Sequence, residues 1–234
     1  ETYDIKNKIS EKKVYKSSIT IAKPRVVIAA FPGTNSEYDM YNRFNENGGE
    51  AKITLLRNLT QKHLIESVDE ICIDLRNSQI FVLPGGFSAG DEPDGSGKFM
   101  AAVLQNPKLM DEIKAFLDRD GLILGVCNGF QALVKSGLLP YGEIGNVHEN
   151  SPTLTFNKIG RHISQIVKTK IVTNNSPWLS SFEIGETFDI PVSHGEGRFY
   201  ASDEVLKQLF ENANFSTPEN TLGMPNVSNP MASN

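Results

Sequence analysis

Gly125-Val126-Cys127-Asn128-Gly129 sets a thiol between two glycines, after the apolar run Leu122-Ile123-Leu124 and before a helical stretch from Gly129 to Lys135. A G-x-nucleophile-x-G pattern between a strand and a helix marks a nucleophile elbow, here with cysteine in the reacting position. The chemistry this allows is covalent catalysis, in which a thiolate attacks an acyl carbon. The requirement for glycine is steric, because a sharp turn brings the chain on either side close together. The first turn of the following helix has N–H groups without intrahelical acceptors, which can receive developing negative charge. The positive end of a helix dipole also favours a thiolate. A lone cysteine is more often simply buried; the paired glycines and the strand–helix context favour the nucleophile. Cys72, in Ile71-Cys72-Ile73, has neither and reads as a core residue.

Two further segments offer polar groups at strand ends. Leu83-Pro84-Gly85-Gly86-Phe87-Ser88-Ala89-Gly90-Asp91 follows an apolar run, and its glycine pair can turn a backbone N–H toward a reacting carbonyl. Taken alone, it is equally a plain turn. Pro191-Val192-Ser193-His194-Gly195-Glu196-Gly197-Arg198-Phe199 ends a strand in a glycine-flanked polar loop, which from its residues alone is equally a structural loop. His63, His148 and His162 lie in polar contexts and read as ordinary.

The elements that position these groups follow from hydrophobic patterning. Apolar, β-branched runs at 25–31, 51–56, 80–83 and 122–126 predict buried parallel strands. Helices are expected over 37–47, 61–76, 97–105, 108–118 and 129–135, the first introduced by Thr34-Asn35-Ser36 as caps. Strands alternating with helices predict an α/β fold with a mostly parallel sheet and helices on both faces. Ligands in such sheets bind at the carboxyl ends of the strands. Beyond 150 the pattern becomes β-rich (153–157, 163–172, 188–192), followed by a helix over 203–211. The division expected is a lead-in over 1–22, one catalytic domain over 23–215, and an irregular tail over 216–234.

Bulk properties exclude several classes. The 234 residues carry a net charge of −5 and no long basic block, which argues against nucleic-acid binding. The two cysteines show no metal-ligand spacing and no disulfide framework, so no metal is expected and a reduced, cytoplasmic setting is. The polar N-terminal stretch has no apolar core, and no apolar run approaches a bilayer span, so neither a leader nor a membrane partner is expected.

At Phe31-Pro32-Gly33-Thr34-Asn35, Pro84–Asp91, Asp91–Phe99, Gly125–Gln131, Asn150–Asn157 and Pro191–Phe199 the sequence resembles class I glutamine amidotransferase domains. Its pattern is most similar to the glutaminase portion of phosphoribosylformylglycinamidine synthases of the single-chain bacterial type, over about residues 24–212. The resemblance implies a flavodoxin-like sheet and glutamine as substrate. Ammonia then passes to a synthetase domain, covalent or separate, where ATP and Mg²⁺ activate formylglycinamide ribonucleotide; no cofactor is implied for this chain itself. By the same resemblance Cys127 forms a glutamyl thioester, Gly86 and Asn128 supply oxyanion N–H groups, and Gly85, Phe87, Gln131 and His194 lie at the glutamine site, His194 without the role of base.

The family's late histidine motif, Gly-His-Ser-Glu-Arg or Pro-His-Pro-Glu-Arg, does not occur here: Leu222-Gly223-Met224-Pro225 echoes the approach to it, but Asn226 and Val227 follow. The resemblance therefore implies an incomplete or degenerate C-terminal end and slow glutamine hydrolysis by this polypeptide alone. Three other readings stand beside it. They are a glutaminase serving another acceptor, a non-catalytic docking module, and a cysteine hydrolase on a similar sheet with no preference for glutamine.

Overall fold

The computed structural model describes residues 21–90, 96–171, 174, 176–211 and 221–224. The chain runs β1 (Arg25–Ala30), α1 (Glu37–Glu46), β2 (Glu50–Leu55), α2 (Gln61–Arg76) and β3 (Ile80–Leu83), then a 3-10 turn at Ser88–Gly90. Next come α3 (Lys98–Leu104), α4 (Pro107–Asp118), β4 (Leu122–Val126), α5 (Asn128–Lys135) and the short α6 (Leu138–Tyr141). The remainder holds β5 (Thr153–Thr155), β6 (Ile163–Lys170), a 3-10 turn at Pro177–Leu179, β7 (Thr187–His194), β8 (Arg198–Tyr200), α7 (Asp203–Glu211) and β9 (Thr221–Met224).

Five strands form one parallel sheet in the order β2-β1-β3-β4-β9. This is the flavodoxin-like order, with the direction of winding reversing between β1 and β3. Alternate residues of the central strands feed two cores. Val27, Ala29, Phe81, Leu83 and Ile123 face α2–α5, where Ile71, Leu75, Ile113 and Phe116 are completely or almost completely buried. Val26, Ile28, Val82 and Leu124 face the other way, toward Met40 and Phe44 of α1 and toward Trp178. Each such fully buried large side chain stabilises the fold by about 1.5–3 kcal/mol. Burial on both faces explains why these strands read as continuous apolar runs.

Two antiparallel pairs, β5 with β8 and β6 with β7, stand beside the main sheet. The expected irregular tail needs a correction: Thr221–Met224 forms the fifth parallel strand, paired with Ile123–Val126. Four residues with a central glycine are too few to show a period, and the pairing depends on the open edge of β4. Residues 1–20, most of the Asp91–Phe99 segment, and Asn226 and Val227 lie outside the described residues.

Candidate active site

Cys127 is the N-cap of α5, with φ 52° and ψ −109°. A residue with a Cβ rarely adopts such a conformation, which costs on the order of 1–3 kcal/mol and persists only when its surroundings enforce it. The enforcement is visible on both sides. A Cβ at Gly129 would overlap the Leu83 carbonyl of β3, lying 2.6 Å from its carbon, and one at Gly125 would lie 2.9 Å from the Gly129 carbonyl. Both glycines therefore let β3, β4 and α5 converge under the turn. Gly85 presses on the other side: a Cβ there would lie 3.1 Å from the Cys127 Cβ. Cys72 has no such setting; it is fully buried in α2, and burial pushes its thiol pKa up.

The segment after β3 is clamped to the turn after β1. The Phe87 N–H donates to the Gly33 carbonyl (2.9 Å), the Asn35 N–H to the Gly85 carbonyl (3.2 Å), and the Gly85 N–H to Ser36 Oγ (2.8 Å). Thr34 and Gly86 thus face each other as a non-hydrogen-bonded antiparallel pair, whose own N–H groups point outward. The Ser88 N–H donates to Asn128 Oδ1 (3.3 Å). Of the successive N–H groups at 85 to 88, only that of Gly86 has no acceptor among the described residues. Gly86 has φ 122°, and a Cβ there would lie 2.7 Å from the Thr34 Cα, so only glycine fits.

Asn128 and Gln131 are buried, and their side chains are joined: Asn128 Nδ2 donates to Gln131 Oε1 (3.2 Å), and Gln131 Nε2 donates to the Glu196 carbonyl (2.7 Å). Both ends of the Gln131 amide thus meet protein groups. Phe87 is exposed. A cavity of about 430 Å³ is lined by Cys127, by Ser164, Gln165 and Ile166 of β6, and by Pro191, Val192 and Ser193 of β7. Pockets of this size hold small molecules. His162 Nε2 lies 2.9 Å from Ser193 Oγ on the cavity wall.

His194 is not among the residues that line this cavity. Its ring is buried, packed on Gly197, and neither ring nitrogen has a hydrogen-bond partner among the described residues. Burial, and then the neighbouring His162, hold its pKa below the ordinary histidine value. The unfolded chain therefore binds a proton more readily than the folded one. Stability from this group is complete above the unfolded value of about 6.5 and is lost as pH falls from there through the folded value. Urea unfolding at about pH 7.5 and about pH 5.5 is expected to show a smaller loss on acidification in His194→Leu than in the wild type. Equal losses would show that His194 is not the group responsible.

The sequence reading missed three contributors. Ser36 was expected to cap α1; it occupies the N-cap position but makes no side-chain capping bond, and its hydroxyl holds Gly85 instead. Ser96 donates from both N–H and Oγ to Glu196 Oε2. The β6 wall of the cavity carried no motif at all. Only Ser36 had a local signal, and it pointed to the wrong partner.

Residues 23–220 match the family described as the CobB/CobQ-like glutamine amidotransferase domain. The chain is 32% identical over 187 residues to the phosphoribosylformylglycinamidine synthase subunit PurQ of Wolinella succinogenes, covering 80% of this chain and 72% of that one. The subunit of the same name from Gloeobacter violaceus is 29% identical over 213 residues, 87% of this chain and 78% of its own. The solved structure of PurLQS from Thermotoga maritima contains a chain that superposes with a TM-score of 0.57 at 30% identity, over 78% of this chain and 71% of that one. No helix among the described residues is long and apolar enough to cross a membrane. An elbow cysteine at the end of the fourth parallel strand, packed against Gly85 of a glycine pair, and matches of this extent lead to one assignment: the chain belongs to the CobB/CobQ-like glutamine amidotransferase domains, and among them to the PurQ type.

Proposed function

We propose that this chain is a glutaminase that hydrolyses glutamine through Cys127 and delivers the ammonia to a phosphoribosylformylglycinamidine synthetase partner. The observation that carries the reading is the strained backbone of Cys127 at the carboxyl end of β4. A domain that only docks has no use for a conformation this costly at a thiol.

In the proposed reaction Sγ of Cys127 attacks the side-chain amide carbon of glutamine. The carbonyl π electrons move to oxygen, and the oxyanion is received by the N–H groups of Gly86 and Asn128. Collapse of the tetrahedral intermediate expels nitrogen, which takes up a proton and leaves as ammonia, with the glutamyl group held as a thioester. Water then attacks the thioester and releases glutamate, restoring the thiol. The wall formed by β6 and β7 confines the substrate, and Gln131 steadies the elbow from within. Leaving ammonia needs a general acid, and no histidine follows His194 in the 234 residues. Slow turnover by this polypeptide alone is therefore expected. Fast, Cys127-dependent ammonia release would overturn this expectation and make His194 a candidate base.

The synthetase partner, not this chain, is where ATP and Mg²⁺ act and where ammonia converts formylglycinamide ribonucleotide to the amidine. The setting proposed is cytoplasmic. The test is genetic: deleting the gene in its own host should create a purine requirement that the wild-type gene cures and the Cys127→Ala gene does not. A requirement for a different product, with purine synthesis intact, would assign the ammonia to another acceptor.

A further inference from the structure

We propose that Glu196 is a positioning residue for acylation: its carboxylate and its carbonyl together hold α5 and the Gly86–Ser88 segment in register with Cys127. The inference rests on the glutaminase reading above and goes beyond it.

The contacts close a ring. Glu196 Oε2 accepts from the Ser96 N–H (3.2 Å) and from Ser96 Oγ (2.9 Å). Bonds to a carboxylate are about twice as strong as neutral ones. Ser96 precedes Gly97, the N-cap of α3, which has φ 77°; a Cβ on Gly97 would lie 2.6 Å from the Ala132 nitrogen of α5. Next to Ala132, Gln131 reaches back and donates to the Glu196 carbonyl (2.7 Å). The helix behind the nucleophile is thus gripped through both ends of one residue.

From that ring a single line of bonds continues to the oxyanion donors. Gln131 Oε1 accepts from Asn128 Nδ2, and Asn128 Oδ1 accepts from the Ser88 N–H, two residues beyond Gly86. If Glu196 releases Ser96, the last turn of slack appears where Gly86 and Asn128 must meet the oxyanion. A misplacement of about 1 Å there costs on the order of 10²-fold in rate. Binding of glutamine in the cavity against β6 and β7 is little affected, because Glu196 does not line it.

The test uses the 234-residue chain and a glutamine-mimicking diazo-ketone, with the rate of Cys127 modification followed by mass spectrometry. Iodoacetamide, which needs no oxyanion site, reports the thiol itself. Glu196→Ala is expected to lower the limiting inactivation rate about tenfold, with the half-saturating concentration changed less than about threefold and iodoacetamide reactivity less than about twofold. Glu196→Gln keeps an acceptor oxygen in place and should recover most of the rate. Wild-type inactivation in Glu196→Ala would overturn the proposal. So would an equal fall in iodoacetamide reactivity, which would mean general disorder of the elbow, or a Glu196→Gln variant as slow as the alanine. If the wild-type chain itself is not modified by the diazo-ketone, it is the glutaminase reading that fails.

Discussion

Cys127→Ala is expected to lower glutamine-dependent amidine synthesis by the enzyme assembled with its synthetase partner at least ~10³-fold, because no other group can form the thioester. Synthesis driven by added ammonia should persist if, as proposed above, the chemistry that consumes ammonia belongs to the synthetase partner. The same position carries a second, physical consequence. At φ 52° and ψ −109°, alanine keeps the strain that cysteine bears, whereas glycine does not. Relief of strain is worth about 1–3 kcal/mol, and the extra freedom of glycine in the unfolded chain offsets about 0.4–1 kcal/mol. Cys127→Gly should therefore be inactive yet more stable than Cys127→Ala by roughly 1–2 kcal/mol. Urea unfolding of the two variants checks this. A glycine variant less stable than the alanine one would mean that the turn is not strained.

Gly129→Ala is expected to destabilise the protein by about 3 kcal/mol or more, and to remove activity in whatever remains folded. Two effects compete at this site. Alanine favours a helix interior over glycine by about 1 kcal/mol. Against this, the added Cβ would overlap the carbonyl of Leu83, a backbone group at the carboxyl end of the central strand rather than the movable end of a side chain. The clash wins, and it pushes α5 away from β3, the strand that leads into Gly85 and Gly86. Gly48→Ala is a fitting control, since a Cβ there meets nothing within 4 Å and its φ of 88° supplies strain without a clash. If Gly129→Ala proved no less stable than that control, the close approach of β3 and α5 would not be a constraint on the fold.

Much of this architecture was legible in the residues because the central strands are buried on both faces. Ile80–Leu83 and Leu122–Val126 are short apolar runs cut off by Pro84 and by Cys127, and the strands begin and end where the runs do. Gln61–Arg76 is amphipathic over its whole length and is capped by Thr60, whose side chain accepts from the His63 N–H. The elbow was legible because steric demands at Gly125 and Gly129 leave a mark on residue type. What was not legible depends on partners distant in sequence. Thr221–Met224 becomes a strand only because β4 offers an open edge. Ser36, 49 positions from Gly85, is indistinguishable in sequence from a helix cap. Glu196 meets Ser96 across 100 positions, and neither residue type announces the pairing. The amide of Gln131 is held by Asn128 and by the Glu196 carbonyl, the second of these 65 positions away.

The central claim is that the Cys127 thiol, the glycine-pair N–H and the cavity under β6 and β7 form one glutamine site. The most direct measurement is to treat the chain with the diazo-ketone in the presence and absence of glutamine and to map the adduct by peptide mass spectrometry. The account predicts modification at Cys127 and not at Cys72, with glutamine protecting and glutamate or asparagine protecting poorly. Modification of Cys127 by iodoacetamide but not by the diazo-ketone, or labelling that glutamine leaves unchanged, would show an exposed thiol without a glutamine site and would contradict the claim.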